Sequence, residues 1–147
     1  MAENKYVVIH GKAADAEEAI LMCGEALYNE GIVGAEFGKN CVIREKDFPT
    51  GLPTEIPVAI PHCQDDSVKV NAICVLMLEQ PVEFRRMDDE EESIMADMLF
   101  NLAVMDADEH LEALQNLMAF LNNIDMVKEC REKNDEELIE CLKRHIG

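Results

Sequence analysis

Tryptophan is absent from this 147-residue sequence, and aromatic side chains make up only 5% of it. Its core must therefore be aliphatic, with nine methionines as adaptable filler. Basic residues are scarce too: 13 Lys and Arg stand against 31 Asp and Glu, a formal charge of −18. Nucleic-acid phosphates are bound by clustered Lys and Arg that release counterions, so that class of partner is disfavoured, and anionic membrane surfaces with it. A solvated acidic surface is the plain reading, and it leaves room for a basic protein partner. No apolar run reaches the roughly 18 residues of a membrane span. The opening Met1-Ala2-Glu3-Asn4-Lys5 lacks the basic and apolar regions of a signal peptide, so a cytoplasmic location is expected. The six cysteines form no Cys-x-x-Cys pair, and no His-x-x-x-His is present. Without an export signal a disulfide framework is not expected. Cys23, Cys74 and Cys141 lie among apolar neighbours and read as small core residues.

What is present divides into strands and helices across a single expected domain, 1–147. Residues 5–10 predict a first strand. Asp15 heads a helix reaching roughly Asn29, with Glu17 and Glu18 near its positive end and Gly31 just past its close. A weaker helix is predicted over 35–47, with Val42 and Ile43 inward and Arg44 near its end. A short rigid loop over 49–57 follows, rich in proline. Residues 71–78 read as the clearest buried strand and 81–85 as an edge strand. The acidic run 88–92 reads as solvated loop. Residues 94–105 are ambiguous, since propensity alone favours helix there. Asp106 and Glu109 have capping-box spacing ahead of an apolar face of Leu111, Leu114, Leu117, Met118 and Leu121. Helices over 124–132 and 134–146 close the chain, the second with Asn134 and Glu137 at capping-box spacing. His145 suits the negative end of that last helix and needs no further role. The alternation implies an α/β three-layer sandwich: a mostly parallel, mixed sheet of about five strands with helices on both faces.

One stretch organises the rest. In Glu55-Ile56-Pro57-Val58-Ala59-Ile60-Pro61-His62-Cys63 a short apolar run ends at Pro61, which holds Ile60 extended and cannot continue a central ladder. His62 then stands just past a strand end, where open α/β sheets place their chemistry. On spacing alone it reads equally well as a packed loop histidine. Arg44, likewise, reads from spacing as a solvated helix residue. His62 and His110 both follow candidate strand ends, which would bring them to one sheet edge. Cys63 should point away from His62, because adjacent residues of an extended segment face opposite sides.

Arg44-Glu45, Phe48-Pro49-Thr50-Gly51-Leu52 and Ala59-Ile60-Pro61-His62 together resemble the signature of the fructose/mannitol-type IIA component of the bacterial phosphotransferase system for sugar uptake. The Phe-Pro-Thr-Gly and Ile-Pro-His-Cys details are most similar to its galactitol-type branch. Glu109-His110 is similar to the second histidine that many members carry on a downstream helix. The resemblance implies a central strand over 97–104 and one antiparallel edge. It implies that His62 is the phosphoryl acceptor, with Arg44 and His110 as the other catalytic residues. An imidazole nitrogen can attack phosphorus in line if its tautomer is held by a hydrogen bond to the other nitrogen. Phosphoryl transfer asks otherwise for positioning and positive charge around the equatorial oxygens, which Arg44 would supply. The implied donor is phospho-HPr and the implied acceptor a cysteine of IIB, with IIC at the membrane reached only through IIB. No cofactor or metal is implied, because the donor is itself a phosphohistidine. The implied substrate system is galactitol or a similar carbohydrate. A second reading, similar to nitrogen-type relatives, is a regulatory module whose phosphorylation on His62 controls protein binding. A metal protein using His62, Cys63 and His110 ranks below both, for want of ligand spacing.

Overall fold

The computed structural model describes residues 4–147, apart from the side chains at positions 107, 109 and 110. Five strands form one sheet: β1 (Lys5–Gly11), β2 (Gly51–Leu52), β3 (Val58–Ala59), β4 (Ala72–Arg85) and β5 (Ser93–Ala103), in the order β1-β4-β5-β3-β2. β1 pairs parallel to β4 and β3 parallel to β5, while the β4–β5 and β2–β3 pairs are antiparallel. The sheet is therefore mixed, as expected. Its parallel share is smaller than expected because β4 and β5 join in one long hairpin.

The predicted strands over 71–78 and 81–85 are one strand, β4, interrupted by an irregularity. Met77 pairs with Met98, yet Val82 pairs with Ala96, so β4 carries extra residues between them. Pro81 lies in that bulge, where its missing N–H breaks no ladder bond. β1 ends at Gly11 opposite Leu78, which leaves the outer part of β4 paired only to β5. Residues 93–103 form a strand despite their helical propensity. Leu99, Phe100, Leu102 and Ala103 are all fully buried, and covering both faces of a central strand outweighs a propensity of tenths of a kcal/mol per residue.

Helices α1 (Ala16–Asn29) and α2 (Phe37–Asp47) cover one face; α3 (Ala107–Leu121), α4 (Ile124–Arg131) and α5 (Asp135–His145) cover the other. The alternation of β4 separates the two cores. Cys74 and Leu76 pack with Ile20, Cys23, Leu27, Phe37 and Cys41, whereas Ile73 and Val75 pack with Leu117, Phe120, Val127, Leu138 and Leu142. The α1 cap forms as predicted: Asp15 accepts a 2.9 Å bond from the Glu18 N–H. Asn134 accepts the equivalent 2.9 Å bond from Glu137 at the head of α5. Gly31, with φ of 73°, takes the left-handed turn that ends α1.

Two residues expected to face inward are exposed. Ile43 is 53% exposed, because the buried face of α2 is Phe37, Gly38, Cys41 and Val42, and the next position rotates out toward solvent. Leu111 is 58% exposed, since the described core contacts of α3 begin at Ala113. A larger correction concerns Cys141. It is buried as expected, yet it forms a disulfide with Cys130, with Cα atoms 5.9 Å apart. The two lie eleven positions apart, a spacing without a signature; only the packing of α5 on α4 brings them together. Cys23 and Cys74 are buried free thiols, as read from the sequence.

Candidate functional site

The segment that carries His62 is pinned on both sides. The Ile60 N–H donates to the Thr50 carbonyl at 3.2 Å, and the Leu102 N–H donates to the Pro61 carbonyl at 3.0 Å. The strand expected before His62 is thus short, Val58–Ala59, but its extended course continues to a bridge between His62 and Leu102 of β5. Rigid backbone on either side, and Pro61 in between, leave the imidazole little freedom to swing. His62 is 4% exposed. Its Nδ1 lies 2.7 Å from the Ile60 carbonyl oxygen. A carbonyl can only accept, so Nδ1 carries the proton and, in the neutral ring, Nε2 carries the lone pair.

Arg44 stands on the last turns of α2, half-buried, with its guanidinium carbon 5.2 Å from the centroid of the Phe48 ring. Two adjoining clefts are lined by both Arg44 and His62. The larger, of about 630 Å³, also involves Phe48, Pro49, Leu114 and Met118; the smaller includes Asn40 and Cys63. The structure therefore brings two of the three sequence-predicted site residues to one cavity. His110 lies at a position within α3, but its side chain is outside the described residues, as is that of Glu109 in the expected capping box.

Glu45, next to Arg44, would face outward with Lys39 and Lys46 on helical spacing alone, yet it is half-buried, because it turns to the loop after the helix. Its carboxylate accepts both the Thr50 N–H at 2.8 Å and the Thr50 hydroxyl at 2.7 Å. This clamp folds the loop after α2 back toward the helix. Burial pushes the Glu45 carboxyl up to about 7, with the Thr50 bonds and the charges of Arg44 and Arg85 pulling the other way. Arg85 of β4 donates to the Lys46 carbonyl, and at 3.4 Å to the Glu45 carbonyl, so it satisfies the last turn of α2. Helix, loop and sheet are thereby tied together directly behind Arg44.

Cys63 turns toward α2, with its sulfur 3.3 Å from that of Cys41 and 3.8 Å from the Phe37 carbonyl. The hydrogen bond from Cys41 lowers the Cys63 thiol and raises that of Cys41. The acidic run at the β4–β5 tip, read as plain solvated loop, contributes Asp88 and Glu90 to the rim of the larger cleft, and Asp88 pairs with Arg86 at 2.5 Å. No sequence signal could have placed them there, because the reach of the hairpin depends on its bulge. His10 is exposed and pairs with Asp135 at 2.6 Å, in keeping with a surface role. Among the described residues no helix is long and apolar enough to cross a membrane.

Comparison with known proteins agrees with this architecture. The galactitol-specific EIIA component of the phosphotransferase system of Escherichia coli K12 is 26% identical over 133 residues, 90% of this chain and 88% of that one. The mannitol-specific enzyme IIA component of Enterococcus faecalis is 30% identical over 130 residues, covering 86% of each. The solved complex of IIA and phosphorylated IIB for mannitol from Escherichia coli contains a chain that superposes with a TM-score of 0.73 at 26% identity, over 97% of this chain and 95% of that one. The family model of the phosphoenolpyruvate-dependent sugar phosphotransferase system, EIIA 2, matches residues 1–145. With the match running nearly end to end and the five-stranded mixed sheet shared, this chain belongs to the EIIA 2 family of phosphotransfer components of the sugar phosphotransferase system.

Proposed function

We propose that this chain acts as one cytoplasmic IIA domain in which His62 takes a phosphoryl group from phospho-HPr and passes it to a cysteine of IIB. The observation that carries the reading is the His62 ring, tied through Nδ1 to the Ile60 carbonyl and facing a cleft shared with Arg44. The Nε2 lone pair attacks phosphorus in line, and the donor's P–N bond breaks with its electron pair returning to the donor nitrogen. In the second half-reaction a IIB thiolate attacks phosphorus and Nε2 takes back the pair. Arg44 offers a planar fork of donors to the equatorial oxygens, over which the charge of the transition state is spread. The rigid backbone around Pro61 supports transfer by holding the ring through both steps.

Two further likenesses support the partners and the sugar. The mannitol relative was solved with phosphorylated IIB, which favours a IIB acceptor here. The likeness to the galactitol-specific component, at 26% identity, favours galactitol or a related polyol as the carbohydrate of the system. Reconstitution with phosphoenolpyruvate, enzyme I and HPr, followed by phosphosite mapping, tests the reading. One acid-labile, base-stable phosphate per chain is expected, on His62. Undiminished labelling of His62→Ala would falsify the assignment. Labelling of His62 without onward transfer to the cognate IIB would favour the regulatory role instead.

A further inference from the structure

The second cluster of reactive side chains lies on the opposite layer, where α4 meets α5. Cys130, Cys141 and His145 place two sulfurs and a ring nitrogen within 4.8 Å of one another. Cys141 and His145 are four residues apart on α5 and so share one helix face, while Cys130 comes from the last turn of α4. Both cysteines are fully buried. The His145 Nε2 is also buried and has no hydrogen-bond partner among the described residues. An orphaned nitrogen of this kind is unfavourable unless something binds it. Phe120 stacks on the imidazole, with centroids 5.9 Å apart and planes at 26°, and so holds the ring's orientation. None of the three residues lines the clefts of His62.

We propose that Cys130, Cys141 and His145 form a binding site for a thiophilic divalent metal ion of the zinc class once a dithiol has reduced the disulfide by exchange, its own two sulfurs becoming the new disulfide and Cys130 and Cys141 becoming thiols. Two thiolates and an imidazole are the donor set such ions prefer. A tetrahedral ion with arms of about 2.3 Å to sulfur and about 2.0 Å to nitrogen holds its ligand atoms about 3.5–3.8 Å apart. The Cα atoms of the two cysteines are 5.9 Å apart, which leaves room for the unbonded sulfurs to separate toward that spacing. The end of α5 adds to the preference, because the negative end of a helix favours a cation. Binding replaces the two thiol protons, which are released, and gives the Nε2 lone pair a partner. Disulfide and metal are alternative occupants of the same two sulfurs, so each excludes the other.

The test is a titration of the full chain with Co²⁺ under anaerobic reduction, read by absorption, followed by displacement with Zn²⁺. One equivalent of Co²⁺ should give a thiolate-to-cobalt charge-transfer band and release two protons, and Zn²⁺ should abolish the band. The disulfide form should show no such band. Cys130→Ser and Cys141→Ser should each remove it. His145→Gln keeps both thiols and should bind roughly tenfold more weakly or worse, since even outer partners of metal ligands are worth about that much. Zn²⁺ should also raise the unfolding temperature of the reduced wild type, and raise it far less in His145→Gln. A reduced chain without the band overturns the site. So does a band that survives either cysteine substitution, or an affinity unmoved by His145→Gln.

Discussion

The Nδ1–H of His62 donates to the main-chain carbonyl of Ile60, only two residues before it, at 2.7 Å. The proline between them makes this possible: Pro61 stiffens the backbone, and its own carbonyl is taken by Leu102. A ring held in this way cannot present Nδ1 as a nucleophile without losing the bond. Phosphate should therefore be found on Nε2 and not on Nδ1. Nuclear magnetic resonance of the phosphorylated chain distinguishes the two isomers, and an Nδ1 adduct would contradict the arrangement.

Arg44→Ala should leave the fold intact, because the side chain is half-buried and its helix is held by Glu45, Arg85 and the packing of Cys41 and Val42. Loss of a fixed cationic donor should slow phosphorylation by phospho-HPr on the order of 10²-fold or more. Arg44→Lys should recover only part, since an ammonium lacks the planar fork. A quenched-flow rate for Arg44→Ala within about twofold of wild type would return Arg44 to the role of a solvated helix residue.

His110 is the sequence-derived partner of His62. If it orients the phosphoryl group for departure, His110→Ala should still accept phosphate from HPr but donate poorly to IIB. Measuring both half-reactions, with thermal unfolding as a control, separates this from a packing role. Normal donation by the variant would leave the second histidine as a family likeness only.

Glu45 makes stability depend on pH with a definite sign. Its carboxyl titrates at about 7 in the folded chain against an ordinary value of 4.5, so the folded state binds the extra proton between those limits. This contribution is present in full below pH 4.5 and is lost as pH rises through 7. Glu45→Gln, which keeps an acceptor for Thr50, should flatten the stability curve over that interval. Denaturant midpoints of the two proteins at several pH values measure it; parallel curves would show that Glu45 does not titrate there.

Gly24 and Gly38 decide where α2 sits. A Cβ on Gly24 would lie 2.5 Å from the Gly38 Cα, so α1 and α2 approach backbone to backbone. Gly24→Ala must push the helices apart at a cost of about 1–3 kcal/mol. Because Arg44 rides on α2, phosphorylation should slow as well. An alanine variant with wild-type stability and rate would mean that the helix pair can shift freely.

Much of this protein is legible in its residues because the causes are local. Pro61 holds Ile60 extended through its own ring, Asp15 and Asn134 cap helices through their own side chains, and Gly31 takes the turn that closes α1. The extended backbone before His62 is likewise local, set by Pro57 and Pro61 within the same short run. Tertiary structure decided what depends on distant segments. Residues 93–103 are a strand because neighbours on both sides and both faces reward it, against their own helical preference. Ile43 and Leu111 are exposed because a helix buries only the face that its neighbours reach. Cys130 and Cys141 meet, and Asp88 comes to the His62 cleft, through helix packing and the path of a bulged hairpin. Sequence separation hides such encounters, since the energy that makes them belongs to the packed whole and not to either segment.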